Sequence, residues 1–207
     1  MEVSLVAGQG GTPADGDARR DAGNSWKLAE QAAAGGLVLA AAEAFDHAAW
    51  ASLGYASAGC WRGVGRPERP SRELGFRTAA AVVHTLLPAG APGAVAPWPS
   101  RFAYDVSLWL GGSWDAVAER TPLAFAEEVH RVAQSVVGAD ALGDSAGVVN
   151  VWRRPADGRL SVCVRLTYCA PARALNAAAA AALHDAVRQA LPLHLPVQVR
   201  TRADALQ

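Results

Sequence analysis

"RLSVCVRLTYCAPARALNAAAAAALHDAVRQAL" runs from Arg159 to Leu191, and its reading decides how the second half of the chain folds. Leu160, Val162, Val164, Leu166 and Tyr168 alternate with Ser161, Cys163, Arg165 and Thr167, the period of a half-buried strand. Asn176 then stands as the N-cap of an alanine-rich helix that carries Leu183, Val187 and Leu191 inward.

The pattern extends outward on both sides. Upstream, "RPADGRL" holds Asp157-Gly158, a hairpin signal, and links back to a strand over Val148–Trp152. Further upstream, Phe102, Tyr104, Val106, Leu108 and Leu110 alternate with Ala103, Asp105, Ser107 and Trp109. Thr121 followed by Pro122 reads as an N-cap with proline at the first helical position. Phe125, Val129, Val132 and Val136 follow at helical spacing, and Gly138 marks the stop. Downstream, Val197 and Val199 supply a last strand. The order β-α-β-β-α-β predicts an α+β fold, a split βαβ of ferredoxin-like type.

Such a fold puts both helices on one sheet face. The alternation assigns Asp105, Ser107, Trp109, Ser161, Arg165, Thr167, Gln198 and Arg200 to the other. This polar platform with an aromatic suits RNA, with Trp109 stacking a base and the arginines meeting phosphates. The competing reading is an ordinary solvated face on which Asp105 and Arg165 pair across adjacent strands.

Pro88–Pro99, "PAGAPGAVAPWP", is too rich in proline and glycine for a helix or central strand, and it divides the chain. Expected are a region over residues 1–87, a linker over 88–99 and a domain over 100–207. The first region opens on "VSLVAGQGGTP", Val3 to Pro13, a short strand breaking into a loop with Gly8, Gly10 and Gly11. The loop fits neither phosphate template. No lysine occurs before Lys27, and Pro13 stands where a dinucleotide fingerprint from Gly8 needs glycine. The next helix signal is Asn24-Ser25-Trp26, too late for a helix N-terminus to meet a phosphate there. Spacing alone makes this a strand-to-loop turn.

Lys+Arg and Asp+Glu balance at 19 each, so bulk charge draws the chain to neither nucleic acid nor membrane. The distribution is uneven: Val151–Arg202 holds eight arginines against Asp157 and Asp185, a hint of an anionic partner. Cys60, Cys163 and Cys169 show no metal-ligand spacing, and their odd count suits a reducing compartment. No apolar run reaches the ~20 residues of a membrane helix, and neither a secretory signal nor a transit peptide is expected before the first strand. His47, His84, His130, His184 and His194 have no partners at recognisable spacing, and Cys60 is equally unpartnered. Nothing here points to nucleophilic, metal or acid–base catalysis.

"RFAYDVSLWL" together with the Arg159–Leu191 stretch resembles the ferredoxin-fold anticodon-binding domain at the C-terminus of phenylalanyl-tRNA synthetases. Asp105, Ser107 and Trp109 match its first motif. Ser161, Cys163, Arg165, Leu166, Thr167 and Tyr168 match the second, and Arg173, Leu175 and Asn176 the third. The likeness covers roughly Trp98 to Arg202; where the family has a His-Pro-Lys-Thr-like hairpin, this chain has "WRRPADGRL". The N-terminal stretch "GQGGTPADGDARRDAGNSWKLAEQAAAGGLVLAAAEAF", with "LGYASAGCWR" and Val82-Val83-His84, resembles the second half of the Rossmann-like domain of 25S-type rRNA uridine-N3 methyltransferases.

The first resemblance implies RNA binding, of tRNA or another structured RNA, through Trp109, Arg153, Arg154, Arg159, Arg165, Arg173 and Arg200. The second implies an incomplete α/β segment without the S-adenosylmethionine glycine loop, so no cofactor, metal or catalytic residue is expected. Met1 abuts the first strand, so the reading expects a truncated start. Val3–Val6 and Leu37–Ala41 would then lack upstream parallel partners and leave an edge open, for a protein partner to complete. The expected function is non-catalytic RNA binding. The alternatives are a methyltransferase-like fragment missing its cofactor half, and a protein-interaction or synthetase-accessory module. The expected compartment is the cytoplasm, with organelle and nucleolus as alternatives.

Overall fold

The computed structural model describes residues 1–54, 81–112 and 114–201; Cys60, most of "LGYASAGCWR" and Arg202 lie outside the described residues. The chain divides into two units, Met1–Trp98 and Pro99–Gln207.

In the first unit, β1 (Glu2–Val6) leads through the glycine loop to α1 (Leu28–Ala34) and β2 (Leu37–Ala44). Helix α2 (His47–Ser52) and strand β3 (Ala81–Pro88) follow. The sheet order is β1-β3-β2, with β3 antiparallel to both neighbours, Ser4 opposite Val83 and Leu39 opposite Leu86. β1 and β2 therefore run the same way, joined through α1 and split by β3. Each has β3 as a partner within the chain, and β1 and β2 form the two edges of this sheet. Ala81, Val82, His84 and Leu86 bury β3 and make it the central strand, so one edge each of β1 and β2 is satisfied within the chain. Ala32 of α1 closes a small core over Leu39 and Leu86.

Helix α1 starts later than Asn24-Ser25-Trp26. Asn24 instead closes a 3-10 turn over Ala22–Asn24, and Lys27 occupies the N-cap in a left-handed conformation, φ 48°. The cause is local: the Trp26 and Leu28 amides donate to the carbonyls of Gln9 and Gly10 at 2.8 and 3.1 Å. Those bonds hold the segment against the glycine loop until Lys27 turns it away. Pro88–Pro99 is a run of turns, with Ala91 donating to Pro88 and Ala94 to Ala91, both at 3.0 Å.

The second unit holds β4 (Arg101–Leu110), α3 (Trp114–Arg120), α4 (Pro122–Val137), β5 (Gly147–Arg153), β6 (Leu160–Cys169), α5 (Ala177–His194) and β7 (Val197–Val199). Its four strands form one antiparallel sheet in the order β5-β6-β4-β7. Alternate residues of β4 and β6, among them Val106, Leu108, Val164 and Leu166, pack with Phe125 and Val129 of α4 and Val187 and Leu191 of α5. Both helices thus cover the same face, and the unit is α+β. Trp114 of α3, a helix that periodicity did not reveal, meets Phe125 edge-on at 5.4 Å.

Asn176 caps α5 as its sequence position predicts, its side chain accepting from the Ala179 amide at 2.8 Å. A cap of this kind is worth about 1 kcal/mol. Thr121 is different. It precedes Pro122, but its hydroxyl donates to the Val117 carbonyl at 3.1 Å and makes no cap bond. The same carbonyl also accepts the Thr121 amide at 2.8 Å, so Thr121 closes the end of α3 with both donors instead of capping α4.

Candidate nucleic-acid interface

On the helix-free face, the registers Trp109↔Ser161 and Trp109↔Gln198 place Trp109 between β6 and β7. Its indole is 1% exposed. The guanidinium carbons of Arg154, Arg159 and Arg200 lie 4.6, 5.0 and 5.2 Å from its ring centroid. Trp152 tilts against it at 5.7 Å between centroids, and Arg200 also covers Trp152 at 4.7 Å. Trp109 is therefore no open stacking platform, which corrects that part of the sequence reading. Long arginine stems from the hairpin and from the end of β7 converge on the ring and keep water from it.

Alternation did not place Trp152 on this face, and the reason is a β-bulge. Val148 opposes Val164 on the core side, but the next pair is Asn150 with Cys163. Val149 is the extra residue, and it shifts Trp152 to lie opposite Ser161 beside Trp109. Without the bulge, Trp152 would share the core side with Val148. Nothing in the local sequence marks a bulge that depends on cross-strand register.

Most of the expected arginines carry a carboxylate. Arg153 lies 3.0 Å from Glu119 and donates to the Gly158 carbonyl at 2.6 Å. Arg154 grips Asp157 with Nε at 2.7 Å from Oδ1, and that contact is the first cause holding the Asp157 carboxyl down at about 2. Arg165 and Asp105 form a two-bonded cross-strand pair at 2.7 and 2.8 Å, which lowers Asp105 and raises Arg165. Arg173 pairs with Asp140 at 2.9 Å. Arg159 differs, donating to Gln198 Oε1 at 3.3 Å, and neither it nor Arg200 forms an ion pair with a carboxylate among the described residues.

Arg159 and Arg173 flank opposite ends of the ten-residue β6, roughly 30 Å apart. Among the described residues, Arg153, Arg154, Arg165 and Arg173 of the expected basic stripe pair with carboxylates, and Arg159 and Arg200, at the hairpin end, form no ion pair. At the other end, a cleft of about 460 Å³ is lined by Pro99, Arg101, Asp140, Leu142, Cys169 and Pro171 among others. No group of three or more metal-ligating side chains gathers among the described residues.

The glycine loop of the first unit has its own ligand, an internal one. Asp15, 5% exposed, accepts from the Gly8 amide at 2.7 Å and from the Thr12 amide at 2.8 Å. The Gly8 carbonyl is taken by Arg20, as those of Gln9 and Gly10 are by Trp26 and Leu28. A phosphate cradle needs free N–H groups, and here a carboxylate already fills the concavity. Gly8 is required on two counts: φ is 91°, and a Cβ would meet the Ala18 carbonyl oxygen at 1.9 Å.

His184, for which sequence spacing shows no partner, faces the core from α5. Its Nδ1 lies 3.1 Å from the Tyr168 hydroxyl, and its ring stacks on Tyr104 at 5.2 Å. Burial, more than Arg188, lowers the His184 pKa, and burial raises that of Tyr168. The signs give a pH window. Below about pH 6.5 the unfolded chain protonates His184 while the folded chain resists, so stability falls. Above about pH 10 the unfolded chain ionises Tyr168 while the folded chain resists, so stability falls again. Urea midpoints should be flat between those limits, and His184→Gln should remove the decline that begins near pH 6.5, leaving the one below about pH 4 that the lowered Asp105 and Asp157 produce. A decline unchanged in that variant would assign it to other groups.

Compared with family models and with curated proteins, the chain matches none.

Proposed function

We propose that this chain is a non-catalytic RNA-binding protein that takes tRNA, or another structured RNA, on the helix-free sheet face of its second unit. The observation that carries the reading is the convergence of Arg154, Arg159 and Arg200 on Trp109 at one end of that face. The order β5-β6-β4-β7, with both helices on one side, supports a ferredoxin-like arrangement and with it the likeness to anticodon-binding domains. In the first unit, β1 and β2 run the same way with α1 between them in sequence. That is what a remnant of a Rossmann-like methyltransferase domain would retain, and a partner strand would find the outer edge of β1. The free thiols of Cys163 and Cys169 suit a reducing compartment such as the cytoplasm.

The test is filter binding of total tRNA across a salt series. Affinity should fall steeply with salt, each phosphate contact on a single-stranded segment adding roughly −0.7 to the log–log slope. Changing Arg153, Arg154 and Arg159 together to alanine should flatten that slope by about 0.7 if Arg159 alone reaches phosphate. The change is about 2 if the other two leave their carboxylates. A wild type without salt-dependent binding, or a triple variant matching it at every salt, defeats the reading. The protein-interaction module then gains, since the Arg153–Glu119, Arg165–Asp105 and Arg173–Asp140 pairs already describe a charge-compensated surface.

A further inference from the structure

We infer that Arg159 and Arg200, at the edge of the Trp109–Trp152 pair, form a binding site for a single phosphoryl group. This deepens the RNA reading and rests on it only for the source of the phosphate.

Three half-buried guanidinium groups around one buried indole repel one another. Asp157 pairs with Arg154, accepts from the Arg159 amide and attracts the Arg159 guanidinium without forming an ion pair with it, so one carboxylate stands against three cations. The charges of Arg159 and Arg200 stay uncompensated by any ion pair among the described residues, although a solvated arginine usually adopts a dispersed position. Two buried donors in the same cluster also lack an acceptor, Trp109 Nε1 and Arg200 Nε. Buried N–H groups are almost always bonded, so two adjacent orphans mark a missing acceptor. One anion of several oxygens answers the charge and the donors together. Guanidinium forks match phosphate in planarity and spacing better than they match chloride or a lone carbonyl. Asp157 shows the same chemistry from within the chain: a carboxylate at the hairpin tip already serves Arg154, which leaves room for one external anion rather than two.

The experiment follows indole and arginine Nε–H resonances of the full ¹⁵N-labelled chain, with Trp109→Phe and Trp152→Phe assigning the indoles. The probes are inorganic phosphate and a short oligouridylate, each against chloride at equal ionic strength. Phosphate should give a saturable shift of the Trp109 and Trp152 indoles that chloride does not. Arg159→Gln with Arg200→Gln should raise the half-saturation concentration by on the order of tenfold or more. Asp157→Asn releases Arg154 and should lower it. Arg188→Gln, on α5 and paired with Asp185, should change nothing.

If neither probe shifts the indoles of the folded wild type beyond chloride, the site is overturned, whether or not tRNA binds elsewhere. If the oligouridylate saturates the same resonances at least tenfold more tightly than phosphate, the source is an RNA backbone. If phosphate saturates them and the oligouridylate binds no tighter, the site stands as one for free phosphate and the RNA reading fails there.

Discussion

Trp109→Ala should destabilise the second unit by about 3–5 kcal/mol, the range for deleting a large buried aromatic. The indole is 1% exposed, it fills the space between Ser161, Gln198 and Trp152, and three arginine stems lie over it. Removing it strips the shared partner of three cation–π contacts and leaves their charges facing one another. Stacking on RNA alone would make the same substitution cost affinity and little stability. Hydrogen exchange on the full chain, read across a urea series, separates the two. Amides of β4 and β6 should lose protection together in Trp109→Ala, while Trp109→Phe, which keeps a ring under the guanidiniums, should retain most of it. A loss below about 1 kcal/mol would mean the indole sits on the surface as an independent platform.

Asp15→Ala is expected to undo the glycine loop. The amides of Gly8 and Thr12 and the Thr12 hydroxyl all donate to that carboxylate, and its removal leaves the two buried amides without an acceptor. At about 1–3 kcal/mol per orphaned donor, the first unit should lose roughly 2–6 kcal/mol. Asp15→Asn keeps one acceptor oxygen and should lose about half as much. The amides of Gly8, Thr12 and α1 should exchange faster in the alanine variant. Unchanged exchange would show that the loop holds itself through the Arg20, Trp26 and Leu28 bonds alone.

Both variants fall on residues whose chemical type the sequence displays and whose role it conceals. Trp109 stands out as an aromatic on the polar side of an alternating strand, and that placement is correct. Its burial is not readable, because the arginines that cover it come from a hairpin some fifty residues on and from the end of β7. Asp15 reads as one of several loop-prolonging residues after Pro13, with no sign that its carboxylate turns back to Gly8.

What the chain determines by itself is local. Period-two alternation places Val106, Leu108, Val164 and Leu166 on one face of β4 and β6. Asn176 starts α5, Gly138 ends α4, and the linker from Ala89 to Pro99, past the Pro88 that ends β3, stays outside helix and strand. These follow from steric preference and hydrogen-bond satisfaction within a few residues, so they are legible wherever the pattern is long. Tertiary structure alone decided the rest. The bulge at Val149 brings Trp152 beside Trp109, β3 enters between β1 and β2, and carboxylates of distant elements neutralise Arg153, Arg165 and Arg173. Register, strand order and ion pairing are set by which surfaces meet, an energy shared between segments far apart in the chain. That is why, of the seven candidate residues, Trp109, Arg154, Arg159 and Arg200 meet in one cluster while Arg153, Arg165 and Arg173 pair elsewhere.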